Sequence, residues 1–506
     1  MAMSVLKVAE KTLAACALAL LKMLRAVRRR HRWLLAYVLS EGFCYWRFRM
    51  RMRRLLPPRV SYRRGSMDDL RWMLKSTQAA VAPLTLNKES MAQYVEEVAG
   101  KSVEMTWEHY YAMVQDTFCI LGPSPEEHSI MLKIASAFCA TEGLLPPPDG
   151  ARPPHCKAPV AFGSSPIHVQ HKPLPVEILM LFARTSGDAV LWFSGYRPRW
   201  QPTAEGWMRY WVSKPRDSDP QLLPMVFLHG VGLGAVPYIF FLERLRRRRK
   251  TPLVLLELPN ASRCSFQNAM PSPAAVRDVM ERLLREDLGI VKPGRYVLLG
   301  HSLGTDVCSI IMNDPRMIHD DPPARPAKLV MMDPVSFAHE IAQAHRLPFW
   351  TIKEALAHAP TLLRKIMQIP ILLMIIRDEY NQEACKRFLT PGTDVIFRCS
   401  PSLLRLCPCL VCLSGKDQAL PAWKIHDYVR AHFPQVEVRM DPNFEHGMMC
   451  MPWTPEWLSR HYLDEVLRFV GQDEKRRHGS HPHLGLEPLL PLRGSRSDVA
   501  LSVLRN

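Results

Sequence analysis

Arg295-Tyr296-Val297-Leu298-Leu299-Gly300-His301-Ser302-Leu303-Gly304-Thr305 lies past the midpoint of a 506-residue chain. After Arg295, Tyr296 to Leu299 form an apolar run rich in Val and Leu, the pattern of a strand covered on both faces. From Thr305 to Asn313 the pattern is helical. Between them stands G-x-S-x-G, Gly300-His301-Ser302-Leu303-Gly304. A chain this long can show such a pentapeptide by chance, so its setting has to carry the argument. A sharp strand-to-helix turn lifts a serine hydroxyl clear of the sheet, and its two glycines stand where larger side chains would collide. The helix behind it points its first amides at that hydroxyl.

Outward from this turn the same alternation continues. Met225 to His229, Leu253 to Leu256, Leu329 to Met332 and Leu410 to Leu413 are further short apolar runs, and Val436 to Met440 reads as one more strand. Helical patterns lie between most of them: Tyr238 to Arg249, Ala274 to Glu286 and Trp423 to Phe433. A last helix is expected from Pro455 to Phe469. Strands alternating with helices imply an α/β fold, with a mostly parallel central sheet and helices on both faces.

A serine hydroxyl is a poor nucleophile at neutral pH and needs a base, and the base needs an orienting acid. Ser414-Gly415-Lys416-Asp417 directly follows one strand and puts Asp417 at the carboxyl edge of the sheet, where catalytic groups gather in such folds. Phe444-Glu445-His446-Gly447 follows the next strand and puts His446 in the neighbouring loop. Asp333, which ends an earlier strand in Met332-Asp333-Pro334-Val335, is an alternative acid; it would otherwise cap a turn or bond within the sheet edge. His229-Gly230-Val231-Gly232-Leu233-Gly234 is a glycine-rich loop after a strand. It lacks the lysine and the spacing of a phosphate cradle.

In residues 225–469, His229-Gly230, the pentapeptide around Ser302, Asp417 and His446, in that order, resemble the α/β-hydrolase superfamily of lipases and esterases. Phe227-Leu228-His229-Gly230-Val231-Gly232 and Met332-Asp333-Pro334-Val335, behind a basic apolar N-terminus, are also similar to a membrane-associated subgroup found in fungi and algae. The resemblance implies Ser302 as nucleophile, His446 as base and Asp417 as its acid. The amides of Val231 and Leu303 would form the oxyanion hole. It implies hydrolysis of an ester or thioester through an acyl-enzyme, with no metal and no organic cofactor. A serine nucleophile argues against dehalogenase or epoxide-hydrolase chemistry. Two alternatives stand beside it. One is acyl transfer on the same triad, although the H-x4-D signature of that chemistry is absent at His446. The other is a non-catalytic membrane scaffold that kept the fold.

The rest of the chain sets the organisation. Residues 1–65 hold two apolar runs, Leu13 to Leu21 and Trp33 to Trp46, with arginines between and after them. Glu10 and Glu41 are the only acids before Asp68. Neither run reaches the roughly 20 residues of a spanning helix, and Glu41 would be costly in hydrocarbon. The segment is expected to lie in a membrane interface and meet anionic lipids. A tight transmembrane hairpin, an organelle transit peptide and a pair of core helices are the other readings. Residues 66–145 read as a helical accessory region, with helices opening at Leu86 to Ser90 and at Ser124-Pro125-Glu126-Glu127. Residues 146–175 read as a linker and 176–471 as the hydrolase domain. Residues 472–506 read as a polar, basic tail in which disorder is expected. An insertion at about 336–402, apolar from Ile366 to Ile376, would form a helical cap over Ser302. It suits a hydrophobic, lipid-like acyl substrate.

A net charge of +18 calls for an anionic partner. No zinc-finger or RNA-recognition signature accompanies it, so a membrane surface is expected rather than nucleic acid. The 13 cysteines are odd in number and scattered, which describes no disulfide framework. Cys407, Cys409 and Cys412 lack a second knuckle or nearby histidines for a metal site and read as part of a buried strand.

Overall fold

The computed structural model describes residues 32–55, 67–78, 104–118, 120, 122–155, 171–204, 206–219, 221–259, 261–262, 271–314, 325–337, 381, 397, 401–417, 419–450, 454 and 456–471. The run Leu13 to Leu21, the helix expected to open at Leu86, the tail and most of the 336–402 insertion lie outside the described residues.

Eight strands form one sheet: β1 (Tyr196–Thr203), β2 (Gly206–Ser213), β3 (Met225–Leu228), β4 (Leu253–Leu256), β5 (Val297–His301), β6 (Lys328–Met332), β7 (Cys409–Ser414) and β8 (Glu437–Asp441). Their spatial order is β1-β2-β4-β3-β5-β6-β7-β8. β2 runs antiparallel to β1 and β4, and every other pairing is parallel. This is the α/β-hydrolase fold.

Strands β3 to β7 are buried along their length, and mostly apolar, because both faces are covered. Val226, Leu228, Leu298, Leu329 and Val411 point to one side. There they meet α7 (Pro273–Arg282), α8 (Leu303–Met312), α9 (Pro401–Leu406) and α10 (Ala422–His432). Phe227, Val297, Leu299, Val330 and Cys412 point to the other. That side is covered by α6 (Ile239–Arg249), α11 (Glu456–Gly471) and Leu191 of α5 (Leu174–Phe193). The period of two along each strand thus sends alternate residues into two separate cores. It also separates Cys409 from Cys412, which lie on opposite faces of β7 and cannot converge on one ion.

The hairpin β1–β2 has no counterpart among the strands read from sequence. Pro198, Pro202 and alternating arginines break the apolar signal in β1, which tolerates them as the terminal strand of the sheet. Before the sheet, α2 (Met67–Gln78), α3 (Trp107–Thr117) and α4 (Pro125–Glu142) share a core of their own around Leu70, Tyr111, Ile134 and Phe138. Ser124 starts α4 with a capping box, its hydroxyl accepting from Glu127 N while the Glu127 carboxylate accepts from Ser124 N. The apolar run at Trp33 belongs to a single 24-residue helix, α1 (Arg32–Leu55), that continues through the arginines after it.

Among the described glycines, the closest approach of neighbouring backbone lies beside Ser302. A methyl on Gly304 would stand 2.2 Å from the Leu228 carbonyl oxygen, and one on Gly300 would stand 2.6 Å from Cys308 Sγ. Backbone on a central strand cannot retreat, so Gly304→Ala should cost about 3 kcal/mol or more. Thermal unfolding by circular dichroism should show a large drop in Tm or no folded protein. Gly42→Ala, with open space around it in α1, should leave the main transition in place.

Candidate active site

Ser302 follows β5 directly and precedes α8, with φ 50° and ψ −122°. A non-glycine residue there is strained, and the strain persists only because its surroundings fix it. Ser302 N donates to Met332 O on β6 at 2.9 Å, and Gly300 and Gly304 let the turn close. The hydroxyl is held over the carboxyl edge of the sheet in a mostly buried position.

His446 reaches it from the loop after β8. Its Nε2 lies 3.0 Å from Ser302 Oγ, and its Nδ1 lies 2.7 Å from Asp417 Oδ2. Asp417 is fixed in turn, its Oδ1 accepting from the amides of Ala419 at 2.7 Å and Leu420 at 2.9 Å. The loops bearing Asp417 and His446 are tied together: Gly415 N donates to Asp441 O, and Lys416 N donates to Phe444 O. Gly415 is required there, because a Cβ would meet Pro442 Cα at 2.6 Å. The structure therefore brings Ser302, His446 and Asp417 into one line of contacts.

Asp333 is elsewhere in the same edge. It is fully buried at a φ of 43°. Oδ1 accepts from Ser414 N at 2.9 Å, and Oδ2 accepts from Ser414 Oγ at 3.0 Å and from Gly447 N at 2.8 Å. It braces the start of the acid loop and the residue after His446, while Asp417 holds the imidazole Nδ1. Asp333, Asp417 and His446 present ligand atoms within 4.8 Å of one another. Backbone amides already aim at both carboxylates, and positive N–H ends facing those oxygens do not suit a cation site.

The glycine-rich loop closes the other side. His229 is buried, accepts at Nε2 from Leu258 N at 3.0 Å, and has Nδ1 2.6 Å from Gly230 O. Burial lowers its pKa, so it is a neutral strut away from the reacting atoms. A Cβ on Gly230 would meet Ser302 Cβ at 2.9 Å, so only glycine lets the loop approach this closely. Val231 follows it directly. Leu303 is the first residue of α8, so its amide has no acceptor within the helix. Tyr238 Oη accepts from Gly230 N at 3.0 Å and lies 2.9 Å from His301 Nδ1. Asn381, from the 336–402 insertion, accepts from Gly232 N at 3.3 Å. Neither Tyr238 nor Asn381 carries a motif, and only the packed structure puts them at this loop.

Below the loop is a buried ion cluster. Arg184 of α5 and Arg209 of β2 both bond Glu257, and Arg184 also donates to Ser262 O. Glu257 is fully buried. A Cβ on Gly234 would meet Arg184 Nη1 at 2.7 Å, so this cluster packs directly under the loop.

The electrostatics act on His446 from two sides. Burial alone would depress its pKa. The charge and hydrogen bond of Asp417, with the charge of Asp333, push it up to about 9. His301, fully buried beside it, moves the other way through burial and stays neutral. Its Nε2 lies 3.7 Å from Asp333 Oδ2, beyond hydrogen-bond length. Such an arrangement can move a proton from a hydroxyl to His446 and hold the resulting imidazolium against Asp417.

Residues 225–460 match the sequence model of a family described as the alpha/beta hydrolase family. With the sheet order above, that segment belongs to the α/β-hydrolase superfamily. Among solved structures, the chain is similar to the carboxylesterase CesB from Bacillus subtilis, at 15% identity and a TM-score of 0.40, covering 59% of this chain and 99% of that one. It is also similar to an esterase from Pyrobaculum calidifontis, at 14% identity and a TM-score of 0.37, covering 60% and 94%. A fungal esterase structure from Rhizomucor miehei gives 16% identity and a TM-score of 0.38, covering 62% and 95%. No curated protein matches this sequence.

His446 provides a direct check of the charge balance. Its midpoint in a histidine NMR titration should be raised to about 9, and since only the neutral ring can take a proton from Ser302, turnover should climb with pH toward that midpoint. In Asp417→Asn that midpoint should fall, because the leading favourable charge and its bond are lost. An unfolded histidine titrates near 6.5. The raised folded value therefore stabilises the fold fully below about pH 6.5, and that contribution is lost as pH climbs through about 9.

Proposed function

We propose that this chain is a serine hydrolase that cleaves a carboxylic ester or thioester through an acyl-enzyme. The observation that carries the reading is the continuous contact from Ser302 Oγ through His446 to Asp417. Ser302 Oγ attacks the substrate carbonyl as His446 Nε2 takes its proton. Asp417 holds the imidazolium in place. The negative oxygen is met by the amides of Val231 and Leu303, where one such donor contributes roughly 2.7–4 kcal/mol in the transition state. His446 then gives its proton to the leaving alcohol or thiol. Water, deprotonated by the same imidazole, attacks the acyl carbonyl and frees Ser302.

The acyl group in this reading is apolar. Its support is the composition of the insertion, apolar from Ile366 to Ile376, and the bond from that insertion's Asn381 to Gly232 beside the site. Asp333 is assigned a bracing role, since its bonds run to Ser414 and Gly447 rather than to His446 Nδ1.

One labelling series separates these roles. A fluorophosphonate reacts only with an activated serine. The wild-type chain should be labelled, and Ser302→Ala should not be. Asp417→Asn should label slower by about four orders of magnitude. Asp333→Asn should keep most of the rate and lose stability instead, by about 1–3 kcal/mol, read as Tm. Equal labelling of wild type and Ser302→Ala would sink the assignment. The opposite ranking of the two aspartates would transfer the acid role to Asp333.

A further inference from the structure

α5 is built inside out. The positions it turns toward the protein are Met180, Arg184, Gly187 and Leu191, so its inward stripe contains a buried arginine. Its outward positions include Ile178, Leu179, Leu181, Phe182, Trp192 and Phe193, with Phe182 at 67% and Phe193 at 88% exposure. A surface helix normally shows the reverse arrangement. α1 adds to the same display. It turns Glu41, Cys44 and Phe48 inward and leaves Val38, Phe43, Tyr45 and Trp46 exposed.

The two helices are joined by a specific contact. Glu41 accepts from the amide of Leu174, the first residue of α5, and from His171 Nε2, at 2.6 and 2.7 Å. The Glu41 carboxyl is held below the usual range by those bonds, led by the one from His171. The one acid of α1 is thus turned onto the start of α5 and away from solvent. The remainder of α1 carries Arg47, Arg49, Arg51, Arg53 and Arg54 and no acid. The display is therefore apolar and positively charged together.

We propose that α1 and α5 form one docking surface for the interface of an anionic lipid bilayer. Of the 21 large apolar side chains that stand exposed among the described residues, 14 lie on these two helices. Exposed apolar surface concentrated in this way marks an interaction site. Charge selects the occupant. Two copies of this face would bring their arginine runs together, which a symmetric contact penalises. Anionic headgroups neutralise the same arginines while the aromatic rings enter the acyl boundary. Among the described residues no helix is long and apolar enough to cross a membrane, so docking in the plane of the interface is the mode proposed.

The surface also backs onto the glycine-rich loop. Arg184, on the inner side of α5, packs under Gly234 of the glycine-rich loop. The bilayer would then meet the outer side of a helix whose inner side braces that loop, about one helix diameter away. This link to substrate delivery rests on the hydrolase reading above. The docking itself does not.

Flotation of the full chain with liposomes tests it, with vesicles of phosphatidylcholine alone and of phosphatidylcholine with phosphatidylserine. Wild type should float with the anionic vesicles and more weakly with the neutral ones. Phe182→Glu/Phe193→Glu should reduce the floated fraction by about tenfold or more. Arg47→Glu/Arg49→Glu should reduce it on anionic vesicles and spare the neutral ones. Both variants change exposed side chains, so circular dichroism and fluorophosphonate labelling in solution should match wild type. Failure of labelling with intact flotation would overturn the hydrolase reading alone. The docking proposal is overturned if wild type floats with neither vesicle, or if the double phenylalanine variant floats as wild type does. A lipid-free dimer in light scattering that this variant breaks, without flotation of the wild type, would overturn it in favour of contact between copies.

Discussion

The Leu228 carbonyl oxygen stands 2.2 Å from where a methyl on residue 304 would sit, and much of the site follows from that closeness. β5, α8 and the end of β3 meet without room for one extra carbon. The turn between β5 and α8 must then be sharp, and the residue at its tip takes a positive φ although it is a serine. That backbone aims Ser302 Oγ away from the core and toward the loop after β8. The same closeness brings Gly230 against Ser302 Cβ, so the glycine-rich loop packs directly on the serine.

Around this turn the polar groups are fixed by other polar groups. Asp417 is held by two amides, Asp333 by an amide on each side of the acid–base pair, and His229 by the chain after β4. Tyr238 links the glycine-rich loop to His301. Buried groups of this kind are costly when unpaired and rigid when paired. The arrangement gives the imidazole an environment with two carboxylates nearby and one direct bond. That is why its proton affinity rises despite burial.

Much of this was legible in the sequence, for a physical reason. Strands β3 to β7 are covered on both faces, so they read as unbroken apolar runs; the loops after β5 and β7 carry Ser302 and Asp417, and the loop after β8 carries His446. β1 was not legible, because an edge strand accepts Pro198, Pro202 and arginines that a central strand would reject; in β2, an inner strand, Arg209 interrupts the apolar run and is buried against Glu257. Asp417 was the preferred acid in sequence and Asp333 the alternative, since each follows a strand; their three-dimensional contacts distinguish their partners. Tyr238, Asn381 and Arg184 gave no signal, because each acts on the loop through a contact distant in sequence. The inverted face of α5 was hidden for a related reason. An arginine amid apolar residues reads as the solvent side of a helix, and here it is the buried side.

The central claim is geometric: one carbonyl carbon can be bonded to Ser302 Oγ while its oxygen faces the amides of Val231 and Leu303. A crystal structure with an alkyl boronic acid, whose tetrahedral adduct mimics that species, measures this directly. The account predicts boron bonded to Ser302 Oγ, one boronate oxygen within hydrogen-bond distance of both amides, and a second near His446 Nε2. Boron bonded elsewhere, or to Ser302 with no oxygen directed at those amides, would contradict it.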